Sequence, residues 1–271
     1  MKHIVTSGCS FSEKGEHTWP YHLTRLIDTK VYTSGLSSAG NSWIAKTAIH
    51  QTQLLLDDGI SPTDITVIVM WSGIDRKDLF VSAKETANFH KLVLPGSGRS
   101  AAINPVNFLG TKSDEMYTHS TVDGYLLGSI SASFLNNHIQ NVKKDLIMPF
   151  FSNESLAIES YENFLRLQWY CQSKNIKLLN LTFLDIMHYP SGIFDFDNRV
   201  LTKDLYRNIA PLYNMIDFAN WLFWKDTGGM YEYTRDNKLS FNEDKQHPSA
   251  ASHEYFVDNF LIPELTDGGY V

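Results

Sequence analysis

Three polar residues of this chain have the types and positions that serine hydrolysis requires. Ser10 follows a short apolar run, His3–Thr6, and lies in the turn GCSFS. Asp244 and His247 stand three residues apart near the other end of the chain. A nucleophilic hydroxyl needs a base that takes its proton and a carboxylate that orients the base. The sequence therefore offers Ser10 as a candidate nucleophile, with a plain turn serine as the alternative.

The spacing of Asp244 and His247 suits a base with an orienting carboxylate. Both lie in a short loop before the last helix, so Asp244 can reach one imidazole nitrogen while the other faces Ser10. Taken alone, His247 is more often a surface or capping histidine.

The elements that must position these residues alternate between strand and helix patterns. We predict strands at Lys2–Thr6, Lys30–Ser34, Asp64–Trp71 and Ile176–Phe183, with a weaker one at Met215–Phe218. Helices are predicted to begin near Thr18 and Gly40 and to cover residues 154–172 and His253–Ile262, where Pro263 is the expected stop. This alternation indicates an α/β fold with a parallel sheet, in which chemistry lies at the C-terminal ends of the strands.

One region departs from the alternation. Residues 77–150 show little periodicity and contain Gly96-Ser97-Gly98 and Asn104-Pro105. We interpret them as an insertion, with a lid over the cleft as one reading, inside a single domain that covers residues 1–271.

Composition excludes several classes of function. The formal net charge is -7 and there is no Lys/Arg cluster, so nucleic acid is not an expected partner. No run of about 18 apolar residues is present, so no membrane span is expected. The apolar stretch of a signal peptide has no room before the first strand, which predicts a cytoplasmic protein, or equally a virion component.

The two cysteines, Cys9 and Cys171, form neither a disulfide framework nor a zinc motif. Cys9 is expected to be a small, buried and inert side chain rather than a nucleophile. His253 follows His247 by six residues, a poor spacing for two metal ligands, and is expected to pack near the start of the final helix.

Four sequence blocks together resemble the SGNH (GDSL) hydrolase superfamily. They are Gly8-Cys9-Ser10-Phe11-Ser12, the segment from Gly35 to Ser42, Gly73-Ile74-Asp75-Arg76 and Asp244-Lys245-Gln246-His247-Pro248. Their order and their places after strands agree with that family, and the GCSF variant is similar to uncharacterised phage and marine bacterial members. The resemblance implies a three-layer α/β/α sandwich, flavodoxin-like, with about five parallel strands and with neither a metal nor an organic cofactor.

The resemblance also implies roles for individual residues. Ser10 would attack an ester carbonyl, His247 would act as base and then acid, and Asp244 would orient His247. The backbone N–H groups of Ser10 and Gly40 would bind the oxyanion. The third donor of the family is an asparagine side chain, but the matching residue here is Asp75, and an ionised carboxylate donates nothing.

Several ways around this departure are open. Asp75 could be protonated, Asn41 could supply the missing donor, or Asp75 could pair with Arg76 and face away.

The expected activity is hydrolysis of a small acyl ester, with acetyl as the first expectation. The substrate would be a small ester or an acylated carbohydrate. The alternatives are a catalytically silent module that binds a glycan or a protein, and an O-acyltransferase. The sequence leaves the oligomeric state open.

Overall fold

The computed structural model describes residues 2–13, 15–36, 39–74, 76–82, 103–105, 124–130, 152–188 and 201–270. The strands are β1 (His3–Gly8), β2 (Lys30–Thr33), β3 (Ile65–Trp71), β4 (Lys77–Ser82), β5 (Ile103–Pro105), β6 (Gly124–Ile130) and β7 (Lys177–Thr182). The helices are α1 (Trp19–Leu26), α2 (Asn41–Asp57), α3 (Asn153–Lys174), α4 (Thr202–Leu205), α5 (Ile209–Tyr213), α6 (Met230–Asp236), α7 (Ala250–Phe256) and α8 (Ile262–Asp267).

A parallel sheet in the order β2-β1-β3-β7 forms the centre of the molecule. Gly8 pairs with Met70, and Trp71 pairs with Thr182, so β1, β3 and β7 end at one edge. Every residue of β1 and β3 is buried, as expected for parallel strands covered by helices on both faces. Helix α2 packs against α3, and α1 packs against α7. The predicted α/β class, with helices flanking a parallel sheet, is confirmed.

The predicted weak strand at Met215–Phe218 is wrong. The chain forms a 3-10 turn at Phe218–Asn220, because the Asp217 side chain caps it by accepting the N–H of Ala219 at 3.1 Å. Beside β7, only a single bridge joins Asn180 to Trp221. In the described part of the chain the central sheet therefore has four strands, where about five were expected.

The prediction that Pro263 ends the last helix is also wrong. Helix α7 continues through a π-helical turn, Val257–Leu261, into α8, in which Pro263 occupies one of the first two positions. Proline has no N–H with which to continue the regular helical hydrogen bonds, and the π-helical turn directly before Pro263 is where that regular pattern is interrupted.

The region at 77–150 contributes a second, smaller sheet. Its described parts are β4, β5 and β6, which pair antiparallel in the order β4-β6-β5. A turn closed by the N–H of Arg76 and the carbonyl of Gly73, 3.2 Å apart, joins β3 to β4. The remainder of 77–150 lies outside the described residues, so the insertion, the lid and the single domain remain predictions.

Among the helices that the structure describes, none combines the length and the apolar character needed to cross a membrane.

Candidate active site

Ser10 lies where β1 ends, at the first residue of a short 3-10 helix, Ser10–Ser12. The N–H of Ser12 closes this turn on the carbonyl of Cys9 at 2.8 Å. Ser12 itself is buried, and its hydroxyl accepts the indole N–H of Trp19 at 2.8 Å. A side chain at Gly8 would bring its Cβ within 2.2 Å of that hydroxyl, so the turn needs glycine here. This packing fixes the partly exposed Ser10 at the edge of the sheet.

The structure brings the three predicted catalytic residues into one hydrogen-bonded line. The Ser10 Oγ lies 2.8 Å from Nε2 of His247. The Nδ1 of the same ring lies 2.5 Å from Oδ2 of Asp244. Since an ionised carboxylate only accepts hydrogen bonds, Nδ1 carries the proton, and Nε2 is free to accept the proton of the Ser10 hydroxyl. This is the arrangement in which an imidazole can act as a general base.

One closed loop carries both Asp244 and His247. The N–H of Asn242 donates to the carbonyl of His247 at 2.8 Å, and Phe241 pairs with Pro248 across the base of the loop. Lys245 adopts a left-handed backbone conformation with φ of 55° at the tip. The loop therefore holds the aspartate and the histidine in a fixed mutual position.

The Asp244 carboxylate is strongly stabilised in its charged form. Oδ1 accepts the backbone N–H of His247 at 3.0 Å and that of Gln246 at 2.9 Å. These hydrogen bonds lower the pKa of Asp244 to about 2, with the contact to the His247 ring as a smaller cause. The side chain is nevertheless 47% exposed, so solvent does not have to be removed to form the pair.

Aromatic rings form a wall behind the imidazole. The Phe11 ring lies 5.3 Å from the ring of His247 and 5.3 Å from that of Phe183. Phe11 also contacts His253, which is buried near the start of α7, as the sequence indicated. Burial, followed by the charges of neighbouring histidines, lowers the pKa of His253 to about 3. His253 therefore stays neutral and adds no charge beside His247.

The predicted oxyanion donor at Gly40 is already engaged. Its backbone N–H donates to Oδ1 of Asp78 at 2.6 Å, and the N–H of Trp43 donates to Oδ2 of the same carboxylate at 2.6 Å. Asp78, in β4, thus caps the N-terminus of α2. Burial raises the pKa of Asp78 to about 6, outweighing the two N–H donors that lower it. Sequence reasoning missed this contact, because the partners are 35 and 38 residues apart and no local pattern links them.

The side chain of Asn41 is engaged as well. Its Nδ2 donates to the carbonyl of Ser72 at 3.2 Å and to the hydroxyl of Ser160 at 3.1 Å, and its Oδ1 accepts the N–H of Ser72 at 2.9 Å. Asn41 therefore braces α2 against the end of β3 and against α3. It could donate to an oxyanion only if these bonds broke. Asp75 lies outside the described residues.

Of the predicted donors, the N–H of Ser10 is the one that the fold leaves in a favourable position. The first N–H groups of a helix have no acceptor within it, and Ser10 begins the 3-10 turn. Among the residues that the structure describes, the site therefore has an ordered base and nucleophile but few ready donors for an oxyanion.

A second Asp-x-x-His pair follows β7. The Nδ1 of His188 lies 3.0 Å from Oδ2 of the fully buried Asp185, and the hydroxyl of Thr227 donates to the same carboxylate oxygen at 2.9 Å. Sequence reasoning missed this pair, although its spacing equals that of Asp244 and His247. The pair ties the segment after β7 to the turn at Thr227, and the described contacts give it no partner like Ser10.

Within the ranges that the structure describes, no three or more His, Cys, Asp or Glu side chains are grouped in a way that could hold a metal ion. Cys9 and Cys171 are both free and buried, as expected for Cys9. Burial raises the pKa of Cys171 to about 12, so it is not a reactive thiolate.

Comparison with known proteins finds a likeness among solved structures only. No protein-family model matches the chain, and no curated protein matches it. Among solved structures, the chain is similar to a member of the lipolytic protein G-D-S-L family from Veillonella parvula. The identity is 10%, the match covers 96% of this chain and 99% of the other, and the TM-score is 0.39. An identity and a TM-score this low assign no activity to the chain.

Proposed function

We propose that this chain is a serine esterase that hydrolyses a small acyl ester through an acyl-enzyme, with an acetylated carbohydrate as the first substrate class to test. The observation that carries the proposal is the contact of Ser10 Oγ with Nε2 of His247 at 2.8 Å. The short contact between His247 and Asp244 supports it, because it leaves Nε2 unprotonated and turned toward the serine.

The proposed reaction has two halves. In the first, Nε2 of His247 takes the hydroxyl proton of Ser10, Oγ bonds to the carbonyl carbon, and the alcohol leaves with the proton from His247. In the second, His247 takes a proton from water, the water oxygen attacks the acyl group, and the proton returns to Oγ as the acid leaves. The carboxylate of Asp244 stabilises the imidazolium that forms in each half.

Oxyanion stabilisation is the demanding part of this mechanism. The N–H of Ser10 is the donor nearest to the new bond, and the N–H of Gly40 becomes a second donor only when it exchanges Asp78 for the oxyanion. One lost donor typically costs about 10²–10³ in rate. The proposed enzyme is therefore expected to be slow with simple esters, and faster with a substrate whose binding moves Asp78.

A second candidate function is a silent binding module for a glycan or a protein. The observation that favours it is the Asp78 carboxylate on the N–H of Gly40, together with the fully bonded side chain of Asn41. If the chain is such a module, Ser10 and His247 remain hydrogen-bonded but catalyse no hydrolysis.

Reaction with a fluorophosphonate probe and turnover of p-nitrophenyl acetate separate the two candidates. The esterase predicts that Ser10 is labelled and that Ser10→Ala abolishes both labelling and turnover. Ser173→Ala, which removes an exposed serine of α3, is the matched control and should retain both. A wild-type protein that is neither labelled nor active would refute the esterase. Release of acetate from acetylated xylan, compared with p-nitrophenyl acetate, then tests the carbohydrate.

A further inference from the structure

One nitrogen of the Arg76 guanidinium, Nη1, is buried without a hydrogen-bond partner among the described residues. The guanidinium carbon lies 5.4 Å from the centroid of the Phe183 ring, which fixes its position. A buried donor of a charged group that makes no hydrogen bond costs free energy, and native structures rarely keep one without a reason.

The adjacent carboxylate, Asp75, lies outside the described residues, and the next one along the chain is used elsewhere. Asp78 is only two residues away, but its two oxygens accept the N–H groups of Gly40 and Trp43 at 2.6 Å each. Helix α2, rather than Arg76, therefore balances that carboxylate. Among the described residues no carboxylate forms an ion pair with the guanidinium, and the residue as a whole is partly exposed.

Arg76 lies at the same edge of the sheet as the proposed nucleophile. It closes the turn that follows β3, the strand that pairs with β1 up to Gly8 and Met70. The Phe183 ring on which it stacks contacts Phe11, and Phe11 contacts His247. Two aromatic rings thus link the guanidinium to the proposed base, and the exposed part of Arg76 can meet a second group of the same substrate.

We infer that Arg76 binds a carboxylate of the substrate, so that the natural ester is an anion. This inference rests on the proposed function and names the substrate class of the same site. The parallel N–H groups of a guanidinium match the two oxygens of a carboxylate, which a neutral ester does not offer. The chain carries a formal net charge of -7 and repels anions as a whole, so anion selectivity requires such a local cation.

Two matched pairs of substrates test the inference. The first pair is 4-acetoxybenzoate and 4-acetoxybenzamide, which place the charge on the alcohol side. The second is mono-4-nitrophenyl suberate and its methyl ester, which place it on the acyl side. We expect the wild type to prefer the anion in at least one pair, by about tenfold or more in kcat/KM. The preference should weaken as the ionic strength rises.

Variants of Arg76 identify the group responsible. Arg76→Gln should lower the anion-to-neutral ratio of kcat/KM by about tenfold, mainly through KM, and Arg76→Lys should restore part of it. Arg166→Gln, which removes an exposed charge from α3, is the control and should keep the ratio. A ratio unchanged in Arg76→Gln for both pairs would overturn the inference. So would an equal loss of kcat for charged and neutral esters, because Arg76 would then act on the ester group itself.

A binding measurement keeps the inference testable if the wild type hydrolyses nothing. That result, without labelling of Ser10, would refute the esterase alone. Benzoate and suberate would then be titrated while the unfolding temperature is followed. A rise in the wild type that is lost in Arg76→Gln would support the carboxylate site, and no rise in either protein would refute it.

Discussion

Asp244 and Asp78 receive the same kind of hydrogen bonds and respond in opposite directions. Each carboxylate accepts two backbone N–H groups, at 2.9 and 3.0 Å for Asp244 and at 2.6 Å twice for Asp78. The pKa of Asp244 falls to about 2, whereas that of Asp78 rises to about 6. The number and length of hydrogen bonds therefore do not decide the charge state here. At Asp78, the loss of solvent raises the pKa by more than the two short hydrogen bonds lower it.

The two sites differ in what such a charge can do. Asp244 is an anion at every pH at which the protein would work, so it can stabilise a His247 imidazolium without changing state. Asp78 titrates near neutrality while it holds the N-terminus of α2. A permanent charge suits Asp244, which orients His247. A carboxylate that can be protonated suits Asp78, whose contact with the N–H of Gly40 must be exchanged for the oxyanion.

The largest expected effect is on catalysis by Asp244. If the proposed mechanism holds, Asp244→Asn should lower kcat for p-nitrophenyl acetate by about 10³–10⁴-fold, because the neutral amide no longer holds the tautomer that leaves Nε2 free. Asp267→Asn, at an exposed aspartate of α8, is the control and should keep the wild-type rate. A rate above a tenth of wild type in Asp244→Asn would show that this carboxylate is not needed.

The next effect concerns the stability that Asp78 gives to α2. At pH 5, where this carboxyl is mostly uncharged, Asp78→Ala should lower the free energy of unfolding by about 1–3 kcal/mol, since two N–H groups lose their acceptor. Asp78→Asn keeps one accepting oxygen and should lose less. Urea denaturation of the wild type and both variants measures their free energies of unfolding, with Asp267→Ala as the control. Equal stability of Asp78→Ala and wild type would show that this cap contributes nothing.

The opposite pKa shifts predict opposite pH dependences. The folded-state pKa of Asp78, about 6, exceeds its ordinary value of 3.8, so folding favours the protonated form. Its stabilisation is complete below about pH 3.8 and is lost as the pH rises through about 6. Wild type should therefore lose stability relative to Asp78→Asn between about pH 4 and 7. The shift of Asp244 is downward, so its contribution is present above its ordinary pKa and is lost as the pH falls toward about 2.

Thermal unfolding of the wild type, Asp78→Asn and Asp244→Asn from pH 3 to 8 tests both directions together. The stability of the wild type relative to Asp78→Asn should fall between about pH 4 and 7 and stay constant above that range. The wild-type and Asp244→Asn curves should keep a constant difference above about pH 4 and approach each other only at the acidic end. Parallel curves throughout would remove the contrast between the two carboxylates.

The smallest expected effect lies at the second Asp-x-x-His pair. Asp185 is buried, and His188 meets its carboxylate and the hydroxyl of Thr227. His188→Gln should change kcat less than about threefold and lower the free energy of unfolding by about 1 kcal/mol, the scale of one hydrogen bond. His247→Gln should instead abolish turnover. A large loss of kcat in His188→Gln, in folded protein, would place a second functional pair at this edge.

The sequence predicted the parts of this molecule that depend on local pattern. The continuous apolar run of β3 and the turn at Ser10 follow from neighbouring residues, and the four blocks of the resemblance selected Asp244 and His247. The helix that begins at Asn41 is equally local.

Long-range contacts were beyond the sequence. Asp78 reaches Gly40 from a region without periodicity, and no local pattern marks Nη1 of Arg76 as a buried donor without an acceptor among the described residues. The pattern of Met215–Phe218 predicts a weak strand, but the capping bond of Asp217 starts a turn at Phe218 instead. Pro263 looked like a stop because the π-helical turn before it leaves no compositional sign.

The closed loop from Phe241 to Pro248 has a consequence for motion. Because base and carboxylate are carried by the same few residues, a displacement of this loop moves both of them and leaves the Nδ1–Oδ2 contact intact. Such breathing is then described by one coordinate, the separation of Ser10 Oγ from Nε2 of His247. A single pair of spin or fluorescent labels, one in the loop and one in the central sheet, could follow that coordinate in time.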